Sequence, residues 1–341
     1  MPEPRCQIFV PSVLHNLHLL LEELAGPGAS ALLGVRWSFA RFDPRSQALA
    51  EFELPVAWSD FAARLRRHGG TILEAHSSDG DEESYERLAL GQPVVVAVDS
   101  FHLPYRPAFR RVHSARTLLL QSLDAKAQTV EVVDVWPPTF TGKVPLSVIR
   151  ETRIGEVVHD PIREPFFAGM RLDGQWWTVA LSGSSAMASE TGLEELLREL
   201  QVEANGPKGA DSSAAAMEGF VSEICAALCE PLGSSRGRRR AAALHLRAEI
   251  GLRAYLLEAL RLAAGVLQDD LLAAETARWA VHLGDLGRTR DILMKSVAFD
   301  RPEYAALVEA SLRRSVQRES RFAGLIAEMF PAPVTYAQAR A

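Results

Sequence analysis

Pro93 to Val98 (PVVVAV) is a continuous, mostly β-branched run, and Asp99, Ser100, His102 and Tyr105 follow directly after it. A carboxylate, a hydroxyl, an imidazole and a phenol at the end of a buried strand can line a cleft and bind or orient a substrate. Leu103-Pro104 in their midst suits a structural turn equally well. His15, His18 and Glu22 form a second group, sharing one helical face at spacings i, i+3 and i+7. Two imidazoles and a carboxylate are adequate metal ligands, but an ordinary polar helix face is the plainer account, and no metal is assigned. The chain has three cysteines, Cys6, Cys225 and Cys229. That count is too low for a disulfide scaffold or a four-cysteine zinc site. Cys225 and Cys229 lie four apart on an expected helix and read as core-facing small apolar residues, not as a disulfide.

The elements that position these groups change character along the chain. At 341 residues the length suits two domains, and a net charge of −6 argues against a general nucleic-acid binder. No apolar run is long enough to span a membrane, and the N-terminus lacks signal-peptide features. The expected setting is therefore cytoplasmic, with reduced thiols. Residues 11–25 read as a helix with Leu14, Leu17, Leu21 and Leu24 on one side, stopped by Gly26-Pro27-Gly28. Residues 58–68 read as a helix capped by Ser59 or Asp60, and the acidic residues 80–89 as helix or loop. Thr117–Leu123 and Thr129–Val135 flank a polar turn and read as a hairpin. Arg171–Leu181, around Asp173-Gly174, reads as another, with Trp176-Trp177 in the core.

Beyond residue 190 the pattern turns helical. A capping box opens at Thr191, a Gly/Ser/Ala-rich linker covers residues 204–215, and amphipathic helices follow from Met217 to Met329. Breaks are expected near Pro231–Gly237, at Gly284 and at Arg301-Pro302. The domain boundaries are accordingly 1–190 and 191–341.

Residues 91–138 carry a resemblance. Gly91-x-Pro93 precedes the apolar strand, Asp99 and Leu103-Pro104-Tyr105 follow it, and two further strands end at Asp124 and Asp134. This segment resembles the N-terminal domain of the butirosin biosynthesis protein H family, which is similar to the papain-like, bacteriocin-processing cysteine peptidases. The helical half resembles that family's C-terminal domain. The resemblance implies an α+β, papain-like N-terminal domain followed by an all-α domain. It also implies a cysteine nucleophile at the start of the first helix, a histidine base on one strand, and an Asp or Asn on the next. Such a site moves an acyl group from a carrier-protein thioester to an amine. The helix dipole favours the thiolate, the imidazole takes the proton, and the carboxylate fixes the imidazole's tautomer.

The residue-by-residue match departs from that pattern twice. The possible registers put Phe9 or Ser12 at the nucleophile position, and Cys6 fits neither. Arg116 stands at the histidine position, and an arginine cannot act as a base at neutral pH. Cys6, His113 and Asp134 then form one rebuilt triad, and Ser12 with His113 another, although Ser12 also suits an ordinary N-cap. Arg116 and Asp134 are placed to form an ion pair where a His–Asp pair would sit. Asp99, His102, Tyr105 and Arg116 are the expected substrate-binding residues.

The function implied is acyl transfer or related thioester processing in specialised-metabolite biosynthesis, of the non-ribosomal peptide or aminoglycoside-like kind. The alternatives are an inactive scaffold on the same fold, or a non-covalent cyclase or condensing enzyme using Asp99, His102 or His113. No cofactor is expected beyond a substrate carried on phosphopantetheine. The expected partners are an acyl or peptidyl carrier protein and a small amine or acyl intermediate, with a homodimer left open. The basic run Ser234–Arg240 reads as a solvated loop or as a contact for an acidic carrier.

Overall fold

A computed structural model describes residues 12–26, 29, 55–75, 80–135, 138–153, 157–158, 172–182 and 213–329. The chain divides into two compact units, one built on a sheet and the other helical. This is an α+β arrangement with an antiparallel sheet, followed by a mostly helical region.

Among the described residues the sheet unit has six strands: β1 (Gly70–Ala75), β2 (Val94–Asp99), β3 (Ala115–Asp124), β4 (Thr129–Asp134), β5 (Phe140–Pro145) and β6 (Trp176–Leu181). Their order is β1-β6-β2-β3-β4-β5, and every pairing is antiparallel. The β-branched run that marks β2 in the sequence is buried along its whole length. Its even-numbered residues Val94, Val96 and Val98 join Leu118, Leu120, Val130 and Val132 in one apolar cluster. Helices α3 (Gly80–Ala89) and α4 (Leu146–Thr152) cover that face through Tyr85, Leu88, Leu146 and Ile149. The opposite face, with Ala97 paired to Thr117, carries α1 (Ser12–Ala25). There Asn16 donates to Thr117 Oγ1 at 3.0 Å and Gln121 donates to Glu23 at 3.4 Å. These two contacts make α1 run parallel to β3.

The β3–β4 hairpin forms as expected, closed by Asp124 opposite Thr129. A bulge between Leu120 and Ser122 then shifts the register, so that Leu119 faces Val133. The second expected hairpin, over Arg171–Leu181, is not the pairing found. Asp173 and Gly174 do turn, at φ 44° and 64°, but β6 pairs with β1 and β2. A turn sequence sets a local reversal and not the partner. Trp176 and Trp177, each 1% exposed, find burial on both sheet faces by lying between two strands.

Helix α2 spans Pro55–Arg67 and so starts before the expected caps Ser59 and Asp60. Proline is favoured at a first helical position, where its missing N–H costs nothing. Gly70 follows, and a Cβ there would lie 2.5 Å from Leu65 Cδ1 and 3.0 Å from Leu181 Cδ2. Gly70→Ala is expected to destabilise the sheet unit by about 1–3 kcal/mol through overpacking. A thermal unfolding midpoint equal to wild type would contradict this.

The helical unit contains α5 (Ser213–Cys229), α6 (Leu232–Leu267), α7 (Asp270–Ser296) and α8 (Glu303–Met329). The expected breaks at Pro231 and Arg301-Pro302 are present. Gly284 lies inside α7, where its propensity cost of about 1 kcal/mol is overridden by packing. An unanticipated break falls at Gln268, in the left-handed region at φ 51°. Asp269 then caps α7 by accepting from the backbone N–H groups of Leu271 and Leu272.

Residues 234–240 form the first turns of α6 and not a loop. Arg239 is buried and donates to the carbonyls of Ala227, Leu228, Glu230 and Ser296. It thereby satisfies the open carbonyl ends of α5 and α7. Arg238 pairs with Glu223 and Glu230. Cys225 is half-buried and Cys229 exposed, so neither sits in the core as expected, and both are free thiols. Burial pushes the Cys225 thiol up to about 11.

Among the described residues no helix is long and apolar enough to cross a membrane. The capping box at Thr191, most of the 204–215 linker and the chain after Met329 lie outside the described residues.

Candidate functional site

The apolar run that makes β2 ends on Asp99, a carboxylate 5% exposed. Asp99 accepts from the backbone N–H of Phe101 and of Ser114, each at 3.0 Å, through Oδ1. It caps the 3₁₀ turn Ser100–His102, which closes the strand end. Its other oxygen, Oδ2, lies 2.6 Å from His113 Nδ1. His113 comes two residues before Ala115, the residue that faces Asp99 across the β2–β3 ladder.

A carboxylate at Nδ1 holds the proton on that nitrogen and leaves the Nε2 lone pair available. His113 Nε2 has no hydrogen-bond partner among the described residues, and the ring keeps 24% of its side chain exposed. The Phe101 ring stacks on the imidazole, with centroids 3.8 Å apart and planes within 7°. Ring orientation is therefore fixed by a hydrogen bond at one edge and a stack on one face. His102 stands nearby, 6.3 Å from His113 between ring centroids, and its Nδ1 lies 3.1 Å from Glu151 of α4.

Asp99 shares its sheet face with Ala97 and Thr117, the face that carries α1. Because α1 runs parallel to β3, its N-terminal end lies towards the end of the sheet where β3 begins, beside Asp99 and His113. Asn16, on Thr117, is one helical turn into α1, so the helix start lies about 6 Å further towards that end. The positive end of the helix dipole is thus directed at the strand end that holds the Asp99–His113 pair.

Asp134 occupies a different place. Leu119 faces Val133, so Asp134 follows Val130 and Val132 onto the α3/α4 face. There it is 1% exposed and is held by both Nε and Nη2 of Arg106, with the Nε contact at 2.6 Å. Tyr105 donates to it at 3.3 Å, and Arg106 also donates to the Pro138 carbonyl at 3.0 Å. Burial and the Asp134 charge hold the Tyr105 hydroxyl firmly protonated, and its ring stacks on Phe140 at 3.9 Å. Arg116, opposite Val98, lies on the same face, and its charge reaches the Tyr105 hydroxyl.

The structure therefore pairs His113 with Asp99, where the sequence reading had paired it with Asp134. Asp99, His102 and His113 come together at one strand end, while Tyr105, Asp134 and Arg116 gather on the other face around Arg106. Cys6 and Phe9 lie outside the described residues. Ser12 opens α1, and its side chain lies outside them too. Arg106, Phe101 and Glu151 were not anticipated. Arg106 had a signal, as the cation next to Tyr105 in Leu103-Pro-Tyr-Arg106. On α1, His18 is 2% exposed and packs against Phe61 at 5.5 Å, so this part of the His15/His18/Glu22 face is covered. Among the described residues no three His, Cys, Asp or Glu side chains are grouped to hold a metal.

The family model for butirosin biosynthesis protein H, N-terminal, matches residues 30–135 of this chain. The match contains β1 to β4 with Asp99, His113 and Asp134, so the resemblance read from residues 91–138 is shown over that range. No curated protein matches the chain.

Proposed function

We propose that this chain, similar over residues 30–135 to butirosin biosynthesis protein H, transfers an acyl group in the biosynthesis of an aminoglycoside-like metabolite. The donor is a thioester on the phosphopantetheine arm of a carrier protein, and the acceptor is a small amine. The observation that carries this reading is the His113–Asp99 pair, 2.6 Å apart, with His113 Nε2 unpartnered among the described residues at the end of the sheet towards which α1 starts. An imidazole held in this way is a general base.

In the covalent version the nucleophile is Cys6 or Ser12, near or at the start of α1. His113 Nε2 takes its proton, and the sulfur or oxygen attacks the thioester carbonyl. The carrier thiolate leaves and receives that proton, which leaves an acyl-enzyme. The amine then attacks, His113 takes its proton, and the amide departs as the nucleophile is reprotonated. The papain-like character of the sheet unit belongs to this proposal, since such a fold places a helix start beside a strand-borne histidine.

A second reading is favoured by the register departures, which put Phe9 at the nucleophile position and leave Cys6 out of place. In this reading His113 deprotonates the bound amine, which attacks the thioester directly without an acyl-enzyme.

Incubation with an acyl-loaded carrier protein, without acceptor, separates the two readings. The covalent version expects one acyl mass on the intact protein, lost in Cys6→Ala or in Ser12→Ala. Turnover with no adduct, and full activity of both variants, would leave only direct transfer. No turnover with any acyl carrier thioester and amine would favour the scaffold.

A further inference from the structure

The helical unit holds a cavity of about 290 Å³ between α7 and α8. Its apolar wall is Trp279 and Phe322, whose rings stack with centroids 4.6 Å apart. His282 completes that wall, and its ring is fixed from behind. Its Nε2 lies 3.2 Å from Glu319, a buried carboxylate that Arg253 grips at 2.7 and 2.8 Å. The other imidazole nitrogen, Nδ1, is buried without a hydrogen-bond partner among the described residues.

Arginines make the rim. Arg278 is paired with Glu275, and Arg318 with Asp285. Arg321 also lines the cavity, is exposed, and has no carboxylate partner among the described residues. Three guanidinium groups against one lining carboxylate, Glu275, give the mouth a positive balance. Polar groups converging on an aromatic-walled concavity are the usual makings of a small-molecule site, and this one is at the small end of the range.

We infer that this cavity binds a compact anionic ligand with a flat apolar body, whose phosphate or carboxylate is held by Arg321 at the rim and whose ring lies against Trp279 and Phe322. This site lies wholly within the helical unit and does not depend on the acyl-transfer reading. A planar guanidinium accepts either anion in a two-point contact, so the geometry specifies the shared chemistry of phosphate and carboxylate.

Calorimetric titration of the full chain tests this with four probes: phenyl phosphate, phenylacetate, benzyl alcohol and inorganic phosphate. At least one aromatic anion is expected to bind saturably at one site, and the tighter of the two identifies the anion preferred. Benzyl alcohol and inorganic phosphate are each expected to bind at least about tenfold more weakly, since each lacks one of the two contacts. Arg321→Ala is expected to weaken the aromatic anion by about 10- to 100-fold, the range of a charge-assisted hydrogen bond. It should leave benzyl alcohol unchanged. Arg321 is an exposed side chain, so the variant is expected to keep the wild-type fold, which circular dichroism checks. The inference is overturned if neither aromatic anion saturates, if Arg321→Ala binds it as tightly as wild type, or if inorganic phosphate matches phenyl phosphate.

Discussion

His113→Ala is expected to lower the acyl-transfer rate by about 10²- to 10⁴-fold, the usual contribution of a positioned general base. On the described part of the sheet unit this imidazole combines a ring stacked on Phe101, a buried carboxylate at one nitrogen and an unpartnered nitrogen at the other. The ring keeps 24% of its side chain exposed, so its removal should leave the sheet intact. Asp99→Asn should act on the same step, because an amide at that place can present its NH₂ to Nδ1 and reverse the tautomer. A loss of similar size is expected. Asp99 also accepts from two backbone N–H groups through its other oxygen, bonds that an amide oxygen keeps without the carboxylate's charge, so this variant should in addition lose only about 1 kcal/mol of stability. Rates are therefore compared well below its unfolding temperature. Steady-state assays with a carrier thioester and an amine read both variants. Wild-type rates in His113→Ala would remove the base from the mechanism, and with it the enzymatic reading of this strand end.

The pairing of Asp99 with His113 shows what was legible in the sequence and what was not. Both residues were visible as candidates, because a polar group after a buried apolar run stands out. Which carboxylate served the histidine was not visible. That depends on the β2–β3 register, Asp99 opposite Ala115, across an irregular connection of residues 100–114 with no turn signature to count from. The resemblance pointed to Asp134 as the carboxylate on the next strand, and the β3–β4 hairpin could be counted from its turn. Strand alternation then decides the matter physically, since Asp134 points with Val130 and Val132 to the α3/α4 face. There Arg106 supplies the charge that a buried carboxylate needs. The helical breaks divide in the same way. Pro231 and Pro302 each stand directly before a helix start, where a missing N–H costs nothing, whereas Gly284 inside α7 only weakens that helix. The break at Gln268 rests on a left-handed residue and the Asp269 cap, which composition does not reveal.

Glu319→Ala is expected to cost the helical unit about 3–5 kcal/mol, because it takes from the buried Arg253 guanidinium the carboxylate that accepts its Nε and Nη2 hydrogen bonds. Arg253 is 1% exposed and lies between Glu319 and Glu249, with its Nη1 2.5 Å from the Glu249 carboxylate. The same cluster carries a pH signature. Burial alone would raise the Glu319 carboxyl, but the Arg253 charge and hydrogen bonds from His282 and Arg253 outweigh it, pulling the carboxyl from 4.5 down to about 2. A carboxyl lowered by folding stabilises the fold fully above its ordinary value, and that contribution is lost as pH falls towards the folded value. At 1.36 kcal/mol per pH unit, roughly 3 kcal/mol should disappear between about pH 4.5 and pH 2. Arg253→Met with Glu319→Met removes both charges but also takes the Arg253 guanidinium from the buried Glu249 carboxylate. That double variant is therefore expected to be less stable than wild type at pH 7, and should lose the part of the acid slope due to Glu319. Peptide-resolved hydrogen exchange over α6 and α8, between pH 6 and pH 2.5, measures this in the full chain. Equal protection in Glu319→Ala and wild type, or the same acid slope in the double variant, would show that the buried pair does not hold these helices together. The cluster also fixes His282 at the cavity wall, so Glu319→Ala should loosen that wall as well. Loss of protection should then extend from α6 and α8 into the His282 turn of α7.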